Sequence, residues 1–87
     1  MAQSERILII DDEEVLREGC KQALAEKGYV TATAENGDLG LQLIRELDPD
    51  LVLIDLKMPG KSGMEVLQEI HSTHPNLVKI VITGFST

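Results

Sequence analysis

A chain of 87 residues, 43% apolar and 26% charged, has room for one small domain and enough apolar side chains to fold. Its net charge of −7 at pH 7 sets it against phosphate backbones and anionic membranes, so direct nucleic-acid contact by this segment is not expected. No apolar run approaches the ~20 residues that cross a bilayer, residues 1–6 carry no apolar leader, and Cys20 has no second cysteine to bond, so a reducing, cytoplasmic setting is expected.

The chain alternates strand and helix signals. Ile7-Leu8-Ile9-Ile10 is a continuous β-branched run that suits a strand buried on both faces. Acidic residues 11–14 follow. Leu16, Cys20, Ala23, Leu24 and Lys27 then recur on one helical face, with Cys20 expected in the core, and Gly28 is placed to end that helix. Tyr29–Ala34 reads as a weaker strand of small residues, better suited to a sheet edge. Asn36-Gly37 signals a turn and Asp38 starts a second helix, whose face carries Gly40, Leu43, Ile44 and Leu47 and which Asp48-Pro49 stops. Leu51–Ile54 is the most apolar strand and runs into Asp55. Residues 57–63 (Lys-Met-Pro-Gly-Lys-Ser-Gly) form a loop in which Met58 packs. A third helix presents Met64, Leu67, Ile70 and His71 on one side, with Met64 expected in the core, and ends at His74-Pro75. Lys79–Thr83 reads as a fourth buried strand.

Strands joined through helices by short connections predict right-handed βαβ units, hence a doubly wound α/β fold with a parallel sheet. The fourth strand has a central composition but little chain beyond it. An apolar edge with one lysine invites pairing. Either more sequence follows or another chain covers that edge, and a homodimer of this fragment through the fourth strand and third helix is expected.

Ligands of open parallel sheets bind beyond the carboxyl ends of the strands, where strand order reverses. The first strand delivers Asp11 and Asp12 to that end, the third Asp55 and the fourth Thr83. If the first and third strands are neighbours, three carboxylates share one crevice. Two such charges about 4 Å apart repel by roughly 1–4 kcal/mol at surface-like dielectric. A hard divalent cation such as Mg2+ relieves this and leaves room for a phosphoryl oxygen. Beside it a carboxylate can attack phosphorus, and Asp55 is best placed to do so; the Thr83 hydroxyl can meet a phosphoryl oxygen. Read singly, Asp12, Glu13 and Glu14 are also an ordinary acidic first helical turn. The conjunction at three strand ends favours a site.

The runs I-L-I-I-D-D-E-E, D-L-V-L-I-D-L-K-M-P-G-K-S-G and K-I-V-I-T-G resemble the receiver domain of two-component response regulators over essentially the whole chain. The resemblance implies a flavodoxin-like sheet with order 2-1-3-4-5, of which four strands and three helices (order 2-1-3-4) fall within residues 1–87, without the family's fourth helix, fifth strand and fifth helix. It implies that Asp11, Asp12 and Asp55 bind Mg2+ together with the Lys57 backbone carbonyl. Asp55 would be the phosphoacceptor served by a sensor histidine kinase, and Thr83 the hydroxyl that follows the phosphoryl group and switches the adjoining surface for an effector domain or partner. The family's lysine on the fifth strand has no counterpart here, and Lys79 stands at the wrong end of its strand to replace it.

Other signals are weaker. Gly60-Lys61-Ser62 resembles the tail of a phosphate-binding P-loop, but the glycine that motif needs five positions earlier is Asp55. His71 and His74 lack a third metal ligand. Glu5, Glu26, Glu46, Glu65 and Glu69 read as solvated. Two other functions compete: a dimerisation module built on the open fourth-strand edge, and an aspartate-nucleophile phosphatase. The second needs another aspartate two residues after the first, where this chain has Glu13.

Overall fold

The computed structural model describes residues 5–82. Four parallel strands, β1 (Arg6–Ile10), β2 (Val30–Ala34), β3 (Leu51–Asp55) and β4 (Val78–Ile82), stand in the order β2-β1-β3-β4. They alternate with three helices, α1 (Glu14–Glu26), α2 (Gly37–Leu47) and α3 (Gly63–Thr73). This is the expected α/β architecture and strand order. The chain steps from β1 out to β2, then reverses past β1 to β3 and β4. Right-handed crossovers in opposite directions place α1 on one face of the sheet and α2 and α3 on the other.

The core follows from that reversal. Leu8, Ile10, Ala34, Val52 and Ile54 point to the α2–α3 face, where they meet Leu41, Ile44, Met58, Val66 and Ile70. Successive strand residues alternate faces, so Ile7 and Ile9 of β1 face the α1 side and are buried there. Fully burying one such side chain contributes about 1.5–3 kcal/mol. β1 is therefore buried on both faces, as its unbroken apolar run predicts, and β2 lies at the edge, as its small residues predict.

The helix ends are set locally. Gly28 has φ 94°, and the Gly28 and Tyr29 N–H groups donate to the carbonyls of Ala25 and Leu24, the double bond of a Schellman cap. The Asn36 side chain caps α2 by accepting the Leu39 N–H at 2.8 Å. Asp48 closes α2 in the left-handed region at φ 49°, just before Pro49.

Three expectations about burial are corrected. β4 is not a buried strand: Val78, Ile80 and Val81 are 57%, 46% and 41% exposed, because β4 is the sheet's second edge and α1 lies over β1 and β2. Met64 is 53% exposed, since the buried stripe of α3 runs through Gly63, Val66 and Ile70, one position away from it. α1 has no fully buried residue; Cys20 and Leu24 are half-buried, and Leu16 is exposed.

Candidate acidic metal and phosphoryl site

β1 and β3 are neighbours in register, with Ile10 opposite Ile54. The next residue on each strand is Asp11 and Asp55, so the two carboxylates emerge side by side at the carboxyl edge. Asp11, Asp12 and Asp55 each place a carboxylate oxygen within 4.8 Å of the others. Asp11 and Asp55 are only 2% and 5% exposed, while Asp12 faces solvent. None of the ion pairs among the described residues involves any of the three. Among the described residues, the crevice thus concentrates three carboxylates with no cation ion-paired to any of them.

Each buried carboxylate is oriented by its own loop. Oδ1 of Asp11 accepts the Glu13 N–H at 2.9 Å, and Oδ1 of Asp55 accepts the Lys57 N–H at 3.1 Å. These are Asx turns. They use Oδ1 of each, and among the described residues no hydrogen bond reaches Oδ2 of either. Burial is the main cause that raises the Asp11 carboxyl above its ordinary value of 3.8; the Glu13 N–H opposes it, and the charges of Asp55, Asp12 and Glu13 add to the rise.

The backbone around Asp55 is tightly held. The Leu56 N–H donates to the Ile82 carbonyl, and the Gly63 N–H donates to the Leu56 carbonyl, which folds the loop back onto the strand end. Position 63 has no room for a side chain, because a Cβ there would collide with the Asp55 carbonyl and the Leu56 Cα. Met58 is buried beneath the loop, as expected. Lys57 is exposed two residues beyond Asp55. Thr83 lies outside the described residues.

Three features escape a reading of residue types alone. Arg17 reaches back from α1 and donates from Nη1 to the Asp11 carbonyl at 2.9 Å, bracing the turn that carries the acidic pair. Ser62 and Glu65 form a reciprocal capping box at the start of α3. The S-x-x-E spacing at 62–65 was a signal for it. Glu69 binds Lys61 at 2.6 Å. Glu65 and Glu69 are thus exposed but engaged.

At the opposite end of the sheet, a cavity of about 330 Å3 is lined by Ile44, Asp48, Asp50, His74 and Leu77, among others. His74 meets the Thr73 hydroxyl through Nδ1, and neither His71 nor His74 joins a metal-ligating cluster among the described residues. The acidic crevice remains the chemically distinctive place on the molecule.

The model of the response regulator receiver domain matches residues 7–87. The nitrate/nitrite response regulator protein NarL of Escherichia coli is 46% identical over 66 residues, covering 74% of this chain and 31% of NarL. The chain thus spans about a third of the length of such curated relatives. Among solved structures, the Thermotoga maritima response regulator TrrA in complex with Mg2+-BeF superposes with a TM-score of 0.89 at 43% identity, covering 94% of this chain and 71% of that one. TrrA in complex with the histidine kinase ThkA superposes at 0.87 with 42% identity, covering 95% and 72%. The family match spans nearly the whole chain, the β2-β1-β3-β4 sheet agrees with these neighbours, and this chain accordingly belongs to the receiver domains of two-component response regulators.

Proposed function

We propose that this chain is a phosphoacceptor in which Asp55 takes a phosphoryl group from a phosphohistidine of a sensor histidine kinase and relays the change to an effector domain or partner. The observation that carries the reading is the carboxylate triad at the β1–β3 junction, in no ion pair among the described residues, with Asp55 buried and its Oδ2 in no hydrogen bond among them. In the transfer, Oδ2 of Asp55 attacks phosphorus and an O–P bond forms. The N–P bond of the phosphohistidine breaks, and its electron pair returns to the imidazole, which takes up a proton as it leaves. Asp55 reacts as a carboxylate and gives up no proton. The Lys57 N–H holds Oδ1, so the attacking oxygen keeps one orientation.

The donor set fits a hard divalent cation, since every candidate ligand is an oxygen. Asp11, Asp12, Asp55 and the Lys57 carbonyl would hold Mg2+, which supplies positive charge against the three carboxylates and the incoming phosphoryl group. The complexes of TrrA with Mg2+-BeF and with ThkA support both the metal and the kinase in this reading. Thr83 offers its hydroxyl to a phosphoryl oxygen and transmits the switch. Residues 1–87 act as one receiver unit, regulatory rather than a turnover enzyme, in the cytoplasm. The net charge of −7 keeps this segment off nucleic acid, so any such contact belongs to an effector.

The test is labelling by a small phosphodonor such as acetyl phosphate, with and without Mg2+. An acid-stable, base-labile phosphoryl adduct that needs Mg2+ and disappears in Asp55→Asn is expected. Mg2+-independent labelling, or labelling that survives in Asp55→Asn, contradicts the assignment. The exposed apolar edge of β4 supports a second property, self-association of this chain.

A further inference from the structure

Lys61 lies in the loop that leads from Asp55 into α3, and its ammonium spans two helices. Nζ donates to Oε1 of Glu69 on α3 at 2.6 Å and stands 3.5 Å from Oδ1 of Asp38 on α2. The aliphatic stem passes over the start of α2, where a Cβ on Gly37 would lie 3.4 Å from both Cγ and Cδ of Lys61. The side chain is three-quarters covered by these neighbours. The Glu69 hydrogen bond is the largest cause that holds the ammonium above its ordinary 10.5; burial opposes it, and the charges of Glu69 and Asp38 add to the rise, so Lys61 stays charged at neutral pH.

The loop is thereby anchored at both ends. On one side the Lys57 N–H is bound to Asp55 Oδ1. On the other stand Lys61, the Ser62–Glu65 capping box and the Gly63–Leu56 bond. Residues 57–60 connect the two anchors.

We propose that Lys61 is a positioning residue for the acidic site: its bridge to Glu69 and Asp38 staples the β3–α3 loop and so fixes the Lys57 backbone for metal binding. The inference rests on the reading of Asp11, Asp12 and Asp55 as a Mg2+ site. It makes a prediction of sign. By charge alone, removing a cation near an anionic site strengthens binding of another cation. A lost staple weakens it, because the ligands must be ordered on binding.

The experiment titrates Mg2+ into the 87-residue chain by amide NMR shifts, and measures hydrogen exchange of the loop amides between 57 and 61 (all but Pro59, which has none) in metal-free buffer. Lys61→Met keeps the stem and removes the charge. Weaker Mg2+ binding, by about tenfold as for other outer-shell supports, is expected, with faster exchange at 57–61 and unchanged protection in β1 and β3. Lys61→Arg is expected to restore both, and Glu69→Gln to reproduce the loss in smaller measure because Asp38 remains. Mg2+ affinity in Lys61→Met equal to or above wild type, or unchanged loop exchange, overturns the proposal. Absence of Asp55-dependent Mg2+ binding in the wild type overturns the site reading and the metal half of this inference with it, while loop exchange, read without metal, still reports on the staple alone.

Discussion

Asp11 accepts a hydrogen bond from Glu13 and still holds its proton more tightly than a free carboxyl does, because it is buried and faces Asp55, Asp12 and Glu13. The consequence for stability has a definite sign. With its folded value raised, the native state binds more protons than the unfolded chain above 3.8, so stability falls as pH rises from there through the folded value. At neutral pH the full penalty is present. Asp11→Asn keeps the oxygen that accepts the Glu13 N–H and removes the charge. In metal-free buffer at pH 7 it is expected to be more stable than wild type by roughly 1–4 kcal/mol, the scale of one like-charge contact at about 4 Å between the bulk-water and near-surface limits. The difference should vanish below pH 3.8, and excess Mg2+ should reverse the order by stabilising the wild type more. Urea unfolding of both proteins across pH, with and without Mg2+, reads all three. The acidic residues were legible in the sequence because strand ends of a parallel sheet converge, which needs only the strand order. Their partners were not, since the Glu13 and Lys57 N–H groups and the Arg17 guanidinium are brought in by turn and helix geometry that residue types do not encode.

At the scale of elements, the loop from β3 to α3 is built around missing atoms as much as present ones. Gly63 opens α3 with its N–H bonded to Leu56 and its Cα against the Asp55 backbone. Gly63→Ala must push backbone rather than a flexible side chain. A loss of roughly 2 kcal/mol is expected from such overpacking, larger than the gain in helix propensity of up to about 1 kcal/mol. Because the displaced backbone is that of Asp55 and Leu56, phosphoryl labelling should fall by more than the loss of folded protein at the same temperature accounts for. A urea midpoint and labelling yield both equal to wild type would show that the loop adapts. Most element boundaries followed from chemistry the sequence displays: Gly28 and Asp48-Pro49 end helices where expected, while α2 opens at the Asn36 cap, two residues before the expected Asp38. Helix faces were harder. In α3 the stripe through Met64 and Leu67 and the stripe through Val66 and Ile70 are both apolar, and only the packing of Gly63 against β3 decides which one turns inward. In α1 a sound apolar periodicity meets little to pack on beyond β1 and β2, so its residues stop at half-buried.

Across the whole molecule, burial is lopsided. The α2–α3 face covers the sheet with a continuous core, whereas on the α1 face Leu51 and Leu53 are half-buried and Val78 and Ile80 stand exposed beyond them. Among the described residues, β4 adds an edge of N–H and C=O groups with no neighbouring strand and Lys79 as its one charged residue, a pattern that favours pairing with another strand. A two-fold axis through Ile80 would set β4 against β4 of a second copy in antiparallel register, with Lys79 opposite Val81 and no like charges opposed. The net charge of −7 on each chain opposes the approach, so association is expected to strengthen as salt screens it. Light-scattering mass should rise above the 9.6 kDa of one chain with concentration, and further in about 0.5 M NaCl, where the screening length falls to about 4 Å. Ile80→Lys separates edge from charge. It lowers the net negative charge and so reduces the long-range repulsion, yet places a cation on the axis where the two edges meet. A monomeric mass for Ile80→Lys under conditions where the wild type associates would assign the contact to β4. Equal association of the two would place it elsewhere, and a wild type that stays at 9.6 kDa at all concentrations would remove the edge as an interface.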